Sequence, residues 1–567
     1  MSGTVSILRV RLKTRPFGSR NPTARQDAKP QKIKVVLTPL RLGVRRGFFR
    51  QTLRSVLLAG VLLLSMSLAA SGRELRLLFT GDILLSRQVQ AEIQRTRRSP
   101  WDGWPPIFPE ADWVLGNLEG AVGVPADCLS TSARSPCFAM PDSALALLRQ
   151  AGFRALGTAN NHRNDLGEAA RHATRQRLRQ EGLGALSFED SPSFWRSGDI
   201  TLGVVAFSTV AGPDRQRVEV PSPVLRQKLR LAKRLANLVV VYVHWGSELL
   251  EWPNAEQRRA AQWLVGQGAD LIIGHHPHVV QPFECIQGKP VFYSLGNHLF
   301  DQKYPATKEG IIADCRVNDG RLTCGVIATR TPAGSAFPQV LSEKRDAAVE
   351  SSTLIPPRGG NWKPQFLNST RLALPMDEAA LKACTATLGP GFTVAGYTLR
   401  PVPANPSAPS SDAQYLLEAV KDGKVRWKTR PVRLLSIDAG PLAGPDGPEM
   451  LVTLERHRSP FDHEDSPRPY VYEVTPRGLV AKWRGTALAW PLLDGALLPG
   501  ETGILCALHR GDSYLVPDPQ TPHTRVAAYR WNGFGFSGAD DPVILDPCAG
   551  LFDLNAFHNG KDGGGGF

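Results

Sequence analysis

Three histidines follow a short apolar run near the middle of the chain. The sequence Gly274-His275-His276-Pro277-His278 comes directly after Asp270-Leu271-Ile272-Ile273. Such a β-branched run is typical of a buried strand, which would place the histidines at its carboxyl end. His276 and His278 are two residues apart, and Pro277 favours an extended His276, so both imidazoles can face one side of an extended loop. Because imidazole is the commonest metal ligand, the motif predicts a metal site; the alternative is a solvated polar turn.

Four other short apolar runs each end in a carboxylate, an amide or an imidazole. They are Leu75–Thr80 before Gly81-Asp82, Trp113–Leu115 before Gly116-Asn117-Leu118-Glu119, Ala155–Ala159 before Asn160-Asn161-His162, and Leu238–Val243 before His244-Trp245-Gly246. In open α/β sheets, ligands bind just beyond the carboxyl ends of the strands. The five strand ends therefore predict one site assembled from distant parts of the sequence. Mixed oxygen and nitrogen donors suit Zn, Mn, Fe or Mg better than a metal that prefers thiolates.

Each of these residues also has a simpler interpretation. The alternatives are a cap for Asp82 on a helix that begins near Leu84, a surface turn for Glu119, turn chemistry for Asn160-Asn161, a hydrogen-bonded polar residue for His162 and a core histidine for His244. Five such coincidences in one order are much rarer than one shared site, so the joint pattern favours metal binding.

This ordered set of motifs resembles the CapA family of capsule and poly-gamma-glutamate synthesis proteins, within the calcineurin-like metallophosphoesterase superfamily. The motifs that carry the resemblance are Gly81-Asp82, Asn117-Leu118-Glu119, Asn160-Asn161-His162, His244-Trp245-Gly246, Gly274–His278 and Ser294-Leu295-Gly296-Asn297, within roughly residues 73–345. The resemblance implies an α/β fold with a four-layer α-β-β-α core, in which two β-sheets pack together and helices lie outside.

The resemblance also implies roles for individual residues. Its metal ligands would be Asp82, Glu119, Asn161, His244, His276 and His278, with Glu119 at the position that bridges two metals in the superfamily. Asp82 and His162 would be the catalytic residues, with His162 acting as the acid or as a contact to phosphate. Arg87, just after Gly81-Asp82, is a candidate substrate contact, with a surface arginine on a helix as the alternative. Asn297 is a second candidate for substrate binding.

One position departs from the superfamily pattern. A histidine usually follows the first aspartate by two residues, and here that residue is Leu84. One metal position therefore loses an imidazole, which leaves open whether one or two divalent ions (Mn, Fe, Zn or Mg) bind. His298 follows Asn297 where a phenylalanine is more usual, and it is either an extra ligand or an exposed loop residue.

The predicted site indicates a class of chemistry. A bound divalent ion lowers the pKa of its water and polarises a phosphoryl or carbonyl oxygen. We therefore expect metal-assisted hydrolysis or transfer in the synthesis of a cell-surface polymer, such as poly-gamma-glutamate or a polysaccharide, with the polymer or its synthase as partner. Two alternatives stay open: a non-catalytic polymer-binding or assembly factor on the same fold, and a periplasmic phosphodiesterase or nucleotidase.

The basic charge of the chain is concentrated at its start. Of the formal net charge of +15, residues 1–72 carry +13, with 14 Lys or Arg against the single acid Asp27, which leaves +2 for the rest. This distribution argues against a nucleic-acid partner. Instead, Arg45-Arg46-Gly47-Phe48-Phe49-Arg50 and the apolar run Val56–Ala70 predict an export leader of the twin-arginine type over residues 1–72. The alternatives are an ordinary secretory signal and an uncleaved membrane anchor. Each predicts a periplasmic or cell-envelope protein.

Eight cysteines fit an oxidising compartment. Cys128 and Cys137 flank a short loop, which predicts a local disulfide. Cys315 and Cys324 flank the hairpin sequence Asn318-Asp319-Gly320, which predicts a second. The sequence does not determine the pairing of Cys285, Cys384, Cys506 and Cys548.

With 567 residues, the chain has room for two or three domains. In the first, over 73–345, strands alternate with helical patterns at Pro141–Ala151, Leu166–Gly182 and Ala255–Gly266, which predicts an α/β domain. Asn164-Asp165 is typical capping chemistry for the second helix.

The composition of the sequence changes after about residue 345. A Pro/Ser-rich connector is predicted over 346–431, with a short helical pattern near Asp377–Leu388. Residues 432–567 predict a β-rich domain, in which Met450–Leu454 is echoed by Ile504–Leu508. The echo has a period of about 55 residues, which indicates two blade-like repeats before a Gly-rich tail.

Overall fold

The computed structural model describes residues 74–129, 136–341, 378–403, 414–458, 465–485, 488, 492–510, 524–539 and 541–552. The predicted export leader over 1–72, the first part of the predicted connector and the Gly-rich tail lie outside these residues. Within them, no helix combines the length and the apolar character that a membrane span requires.

Residues 74–341 contain short strands and helices in alternation. The strands are Leu75–Ile83 (β1), Trp113–Leu118 (β2), Ala121–Val122 (β3), Ala139–Met140 (β4), Ala155–Gly157 (β5), Gly184–Leu186 (β6), Ser193–Ser197 (β7), Ile200–Ser208 (β8), Leu238–His244 (β9), Leu271–His275 (β10), Phe283–Ile286 (β11), Lys289–Phe292 (β12), Asn297–Leu299 (β13), Glu309–Asn318 (β14), Arg321–Arg330 (β15) and Gln339–Val340 (β16). The α-helices are Arg87–Thr96 (α1), Ser143–Ala151 (α2), Gly167–Gln180 (α3), Pro223–Leu235 (α4) and Ala255–Gly266 (α5). All five apolar runs that precede the predicted site residues form strands, as predicted.

Two sheets contain most of these strands. The first has the order β16-β15-β14-β1-β2-β5-β6, with β13 added beside β1. The second has the order β11-β12-β10-β9-β8-β7. Strands β1, β2, β5 and β6 are parallel, and so are β8, β9, β10 and β12. Within each sheet, the carboxyl ends of these parallel strands therefore lie along one edge.

Three buried clusters hold the sheets and helices together. One contains side chains from both sheets, including Phe79 of the first and Ile273 of the second. Another packs helices α1 to α3, through residues such as Leu148, on the first sheet. The third includes Leu229 of α4 and Leu264 of α5 with strands of the second sheet. The described residues thus form the α/β core that the alternating pattern predicted.

The predicted helices lie where expected, with small shifts at their ends. Helix α5 begins and ends at the predicted residues, and Asn254 and Gln257 form a reciprocal capping box at its start. Helices α2 and α3 are each two to three residues shorter than predicted. The helix expected near Leu84 begins at Arg87, so Asp82 is not its cap.

Both disulfides predicted from the sequence are present, Cys128–Cys137 and Cys315–Cys324. The structure also pairs the four remaining cysteines, as Cys285–Cys384 and Cys506–Cys548. The Cys285–Cys384 bond spans 99 residues and links the second sheet to the helix Glu378–Ala383 (α6). No local sequence pattern predicts a disulfide between residues so far apart in the chain.

The described residues after 383 are almost entirely β-structure. Their strands are Ala386–Thr387 (β17), Phe392–Val394 (β18), Tyr397–Pro403 (β19), Gln414–Lys421 (β20), Lys424–Lys428 (β21), Val432–Pro441 (β22), Glu449–Arg458 (β23), Asp465–Thr475 (β24), Gly478–Arg484 (β25), Leu492–Leu497 (β26), Ile504–Arg510 (β27), Thr524–Trp531 (β28) and Phe536–Gly538 (β29), before the helix Pro542–Phe552 (α7). Strands β18 to β25 form one sheet, and β26 to β29 form another.

The predicted connector contains more structure than its composition indicated. Strands β18 to β21 continue the sheet of β22 to β25, so the sheet crosses the boundary predicted at residue 432. Met450–Leu454 lies in β23 and Ile504–Leu508 in β27, each the second strand of an antiparallel run of four. The helix predicted near Asp377–Leu388 is shorter, since it ends at Ala383 and β17 follows.

Candidate metal centre

The strand ends bring the predicted ligands to one place. In the first sheet, Asp82 of β1 pairs in register with Asn117 of β2 and with Asn297 of β13. In the second, His244 of β9 pairs with His275 of β10. Gly81 permits this approach, because a Cβ atom there would lie 2.0 Å from the carbonyl oxygen of Gly296.

Two overlapping groups of side chains have the geometry of a metal site. Donor atoms of Glu119, His276 and His278 all lie within 4.8 Å of one another, and so do those of Asp82, Glu119 and His244. All five residues are buried. Glu119 belongs to both groups, as expected for a carboxylate shared between two metal positions.

The Glu119 carboxylate is buried without a hydrogen-bond partner among the described residues, on either oxygen. Its Oε1 lies 3.5 Å from His278 Nε2, 3.8 Å from His162 Nε2 and 4.0 Å from His244 Nε2. These distances are too long for hydrogen bonds but suit groups that surround a cation. Burial raises the pKa of Glu119 well above its usual value, because desolvation of the carboxylate outweighs the nearby charge of His278. The residues present therefore fit a divalent metal ion.

Asp82 is also buried, but it has polar partners. Its Oδ1 accepts a hydrogen bond of 2.8 Å from Asn117 Nδ2, and its Oδ2 lies 3.3 Å from His278 Nδ1. Burial alone would raise the pKa of Asp82, yet the hydrogen bond and charge of His278 outweigh it and lower the pKa. Burial would likewise lower the pKa of His278, but the charge of Glu119 and the hydrogen bond of Asp82 raise it to about 10.

The other two imidazoles are kept neutral. Burial, followed by the nearby His276, lowers the pKa of His244 well below its usual value. Burial and the neighbouring His278 lower the pKa of His276 to about 3. The Nδ1 atom of His276 has no hydrogen-bond partner among the described residues. Neutral imidazole is the form that binds metal, so both rings are ready to act as ligands.

The histidine loop is not extended, contrary to the expectation for His276. Its φ is +99°, and that of His278 is +59°, in the region that side chains rarely adopt. The backbone N–H of His276 donates to Asp82 Oδ2 at 3.3 Å, which holds the turn against β1. Non-glycine residues with positive φ persist where their surroundings fix them, often at functional sites.

Asn161 and His162 follow β5 and reach the centre from another side. The Oδ1 atom of Asn161 is 2.8 Å from His244 Nε2, so two predicted ligands contact each other. The preceding Asn160 holds this loop, because its Nδ2 donates to the carbonyl of Leu118 at 2.9 Å and its Oδ1 accepts from the backbone of His162 at 3.1 Å.

His162 has a carboxylate partner, Asp165, whose position in the sequence predicts a helix cap. Its Nδ1 lies 2.8 Å from Asp165 Oδ2, and the ring stacks on Phe138 at 4.0 Å. Asp165 was predicted to cap helix α3, but the N-cap residue is Leu166 and no side chain caps that end. Instead, Asp165 also accepts the backbone N–H of Phe138 at 2.8 Å. The carboxylate thereby fixes the orientation of the imidazole.

The two residues predicted to bind substrate are engaged within the protein. The Arg87 guanidinium forms a two-pronged ion pair with Asp301, in which Nε donates to Oδ2 at 3.0 Å. Asn297 Oδ1 lies 2.9 Å from His278 Nδ1, and its Nδ2 donates to Gln302 Oε1 at 2.9 Å. Asn297 therefore positions the imidazole of His278, a predicted ligand, and the charge of Arg87 is matched by a carboxylate.

Comparison with known proteins identifies the family of this region. Residues 76–302 match the family model of the bacterial capsule synthesis protein PGA_cap. The PGA biosynthesis protein CapA of Bacillus subtilis is 30% identical over 249 residues, or 41% of this chain and 65% of that protein. This region belongs to the CapA family.

Other relatives agree with that placement. The capsule biosynthesis protein CapA of Bacillus anthracis is 27% identical over 309 residues, or 51% of this chain and 75% of that protein. A probable polyglutamine synthesis accessory protein of Mycobacterium tuberculosis is 28% identical over 85 residues, or 15% of this chain and 22% of that protein. The chain thus spans slightly less than two thirds of the Bacillus subtilis CapA.

Within this CapA-family domain, an apolar cluster occupies the position where an imidazole was expected. Leu84 is fully buried and packs with Phe138 and Phe300. The Phe300 ring lies 4.8 Å from the ring of His278, and Phe138 covers His162. One side of the centre is therefore lined by hydrocarbon, which shields the neighbouring imidazoles from water.

His298 is neither a ligand nor an exposed loop residue, so both predictions for it were wrong. It is 2% exposed and lies among Trp101, Trp104, Phe108 and Phe153. Trp101 Nε1 donates to His298 Nε2 at 2.9 Å. Burial lowers the pKa of His298 to about 3, so the ring is neutral and belongs to the core.

Proposed function

We propose that the protein is an exported, metal-dependent member of the CapA family that acts in the synthesis of poly-gamma-glutamate, capsule or another cell-surface polymer, by metal-assisted hydrolysis or transfer. The names of the relatives support the biological process. The observation that carries the metal-dependent part is the Glu119 carboxylate, buried without a hydrogen-bond partner among the described residues and surrounded by imidazoles.

In this proposal, Asp82, Glu119, Asn161, His244, His276 and His278 hold one or two divalent ions. When bound, such an ion supplies Lewis acidity at a phosphoryl or carbonyl oxygen and a more acidic water. Asn117 and Asn297 orient Asp82 and His278 through hydrogen bonds of 2.8 and 2.9 Å. Substitution of residues that hydrogen-bond to metal ligands typically changes metal affinity or activity 10- to 100-fold.

His162 is the proposed proton carrier. Its Nε2 faces the centre, 3.8 Å from Glu119, while its Nδ1 contacts Asp165 at 2.8 Å. A carboxylate at one ring nitrogen holds the imidazole so that the other nitrogen can exchange a proton with a reacting group. Phe138 stacks on the ring and limits its rotation.

The fold and compartment belong to the same proposal. Two sheets packed face to face, with α1 to α3 on one side and α4 and α5 on the other, would make the four-layer core of the superfamily; the buried clusters support this order. Four disulfides in the described residues support an oxidising compartment, hence export to the periplasm or cell envelope.

A non-catalytic polymer-binding or assembly factor is the second candidate. The apolar cluster of Leu84, Phe138 and Phe300 favours it, because that cluster removes an imidazole from one metal position. The assembly factor does not require a metal, and the two candidates differ in whether His162 moves a proton.

The test combines metal content with turnover. Elemental analysis of the purified protein is run beside His276→Ala/His278→Ala and the surface control His172→Gln, followed by a screen of phosphoester and γ-glutamyl amide substrates. We expect bound metal in the parent and the control, and its loss in the double variant. His162→Ala should retain metal and lose turnover. Metal absent from the parent would refute the metal-dependent proposal, and a polymer phenotype unchanged in His162→Ala would favour the assembly factor.

A further inference from the structure

A cleft of about 460 Å³ lies beside the metal centre. Its lining includes three arginines, Arg163, Arg215 and Arg217, together with Phe188 and Ser208. None of these five residues belongs to a motif that the sequence indicates. The volume falls within the range of small-molecule binding sites in proteins.

The cleft shares its wall with the centre. Two lining residues, Ala159 and Arg163, directly flank the Asn160-Asn161-His162 loop. Ser208, a third lining residue, pairs in register with His244. Residues of the cleft wall therefore adjoin two proposed ligands, Asn161 and His244, and the proposed proton carrier, His162.

The loop that carries Arg215 and Arg217 is fixed to the metal centre. A Cβ atom on Gly212 would lie 2.2 Å from the carbonyl oxygen of Asn161, so the two loops touch through their backbones. Arg163 clamps the next turn, with hydrogen bonds to Asp214 Oδ2 at 2.9 Å and to the carbonyl of Gln216 at 3.2 Å. These hydrogen bonds engage the guanidinium of Arg163 and position Arg215 and Arg217, which lie on either side of Gln216.

Arg215 and Arg217 themselves remain available. Both are exposed, and neither forms an ion pair within the described part of the chain. Of the two carboxylates on the wall, Glu189 is matched by Arg171 at 2.9 Å and by a second arginine at 3.2 Å. Glu219 is the other carboxylate of the lining. Glu219 forms no ion pair within the described residues, so two unpaired guanidinium groups, two residues apart, stand against one unpaired carboxylate and the net unpaired charge of the cleft is positive.

We propose that this cleft binds carboxylate groups along an extended acidic chain and guides that chain to the metal centre. Arginine forms paired hydrogen bonds with carboxylates, and a concave wall concentrates the field of its charges. Phe188 offers an apolar surface for the methylene groups between successive carboxylates. This inference rests on the proposed function, because it names the substrate class of the same site.

The test measures binding without catalysis. A fluorescein-labelled oligomer of γ-linked glutamate is titrated with the full protein in excess chelator, and anisotropy reports affinity. Arg215→Gln/Arg217→Gln should bind at least about tenfold more weakly, the loss expected for charge-assisted hydrogen bonds. The control Arg321→Gln/Arg477→Gln removes the same charge from exposed positions elsewhere and should bind like the parent. Glu219→Gln removes the opposing charge and should bind more tightly.

The outcomes separate this inference from the proposed function. Equal affinity of the parent and Arg215→Gln/Arg217→Gln, or equal binding of an oligomer with esterified carboxylates, would overturn the cleft proposal. Displacement of the oligomer by millimolar inorganic phosphate, with no discrimination against the esterified oligomer, would identify a phosphate site and also overturn it. Arginine-dependent binding in a protein that holds no metal would leave the cleft intact and refute only the metal chemistry.

Discussion

Carboxylates are buried both at the metal centre and where helix α4 packs on the C-terminal strands. Arginines donate hydrogen bonds to those beside the helix, whereas Glu119 at the centre has no such donor in the described part of the chain. At the helix, Arg230 donates to Asp494 at 2.5 Å and Arg234 donates to Asp438 at 2.6 Å. At the centre, Glu119 has imidazoles at 3.5 Å or more and accepts no hydrogen bond from the described residues. Burial raises the pKa of all three carboxyl groups. Burial alone therefore does not distinguish Glu119 from the carboxylates beside helix α4. The lack of a hydrogen-bond donor does, and the proposed metal site is based on that observation.

Metal affinity should respond most strongly to a single substitution. Glu119→Gln removes the carboxylate common to both donor groups, so we expect the affinity for Mn²⁺ or Zn²⁺ to fall at least about 100-fold, a loss larger than orienting residues give. Calorimetric titration of the metal-free protein measures the change. Asp494→Asn, which is equally buried, serves as the control and should bind metal like the parent. An unchanged affinity in Glu119→Gln would show that the centre does not use this residue.

The same two variants should change stability in opposite directions. Asp494→Asn leaves the partly buried Arg230 without its charged partner and weakens a hydrogen bond of 2.9 Å from Gln227. Because this cost exceeds the gain from removing a desolvated carboxylate, we expect a loss of about 2 kcal/mol in the free energy of unfolding. Glu119→Gln removes a desolvated carboxylate, so the metal-free protein should gain about 1 kcal/mol at pH 7.

Urea denaturation in chelator provides that measurement. Because the pKa of Glu119 is raised on folding, its ionisation opposes folding above pH 4.5 and not below it. The gain in Glu119→Gln should therefore disappear near pH 4. Destabilisation by both variants at pH 7 would mean that the two regions bury charge in the same way.

A smaller effect is expected at Asp165. Its substitution tests the orientation of the His162 ring and not the burial of charge. Asp165→Asn keeps the shape but weakens the contact to His162 Nδ1, so we expect turnover to fall about tenfold with metal content unchanged. Asp142→Asn, on the exposed end of helix α2, is the matched control. A fall in metal content that parallels the fall in turnover would point to a structural role.

The smallest effect is the release of the His278 proton when metal binds. The pKa of His278 is about 10 in the metal-free fold, against a usual value of 6.5, so its proton stabilises the fold below pH 6.5 and that contribution is lost as the pH rises through 10. A metal ion must displace this proton, so binding at pH 8 should release at least one proton per ion. Calorimetry in buffers of different ionisation enthalpy counts it, and the release should vanish above pH 10. Binding heats independent of the buffer at pH 8 would contradict this assignment.

Local patterns in the sequence predicted much of the centre. Each proposed ligand follows an apolar run, and such runs form strands whose ends carry the next polar side chain; Asp82 and His244 lie at these ends as expected. The two short-range disulfides and the start of helix α5 also follow from residues close in sequence. These features depend on backbone periodicity and turn chemistry, which act over a few residues.

The tertiary structure alone decided which polar groups meet. Arg87 contacts Asp301 across 214 positions, and Trp101 contacts His298 across 197, so no local pattern shows that either residue is already engaged. Asp165 has the spacing of a helix cap, yet packing turns it toward His162. The residue types of the proposed ligands and their order along the chain thus follow from local patterns, because these residues lie at strand ends. The pairing of charges, and the arginine cleft, required the fold, because desolvation acts between neighbours in space.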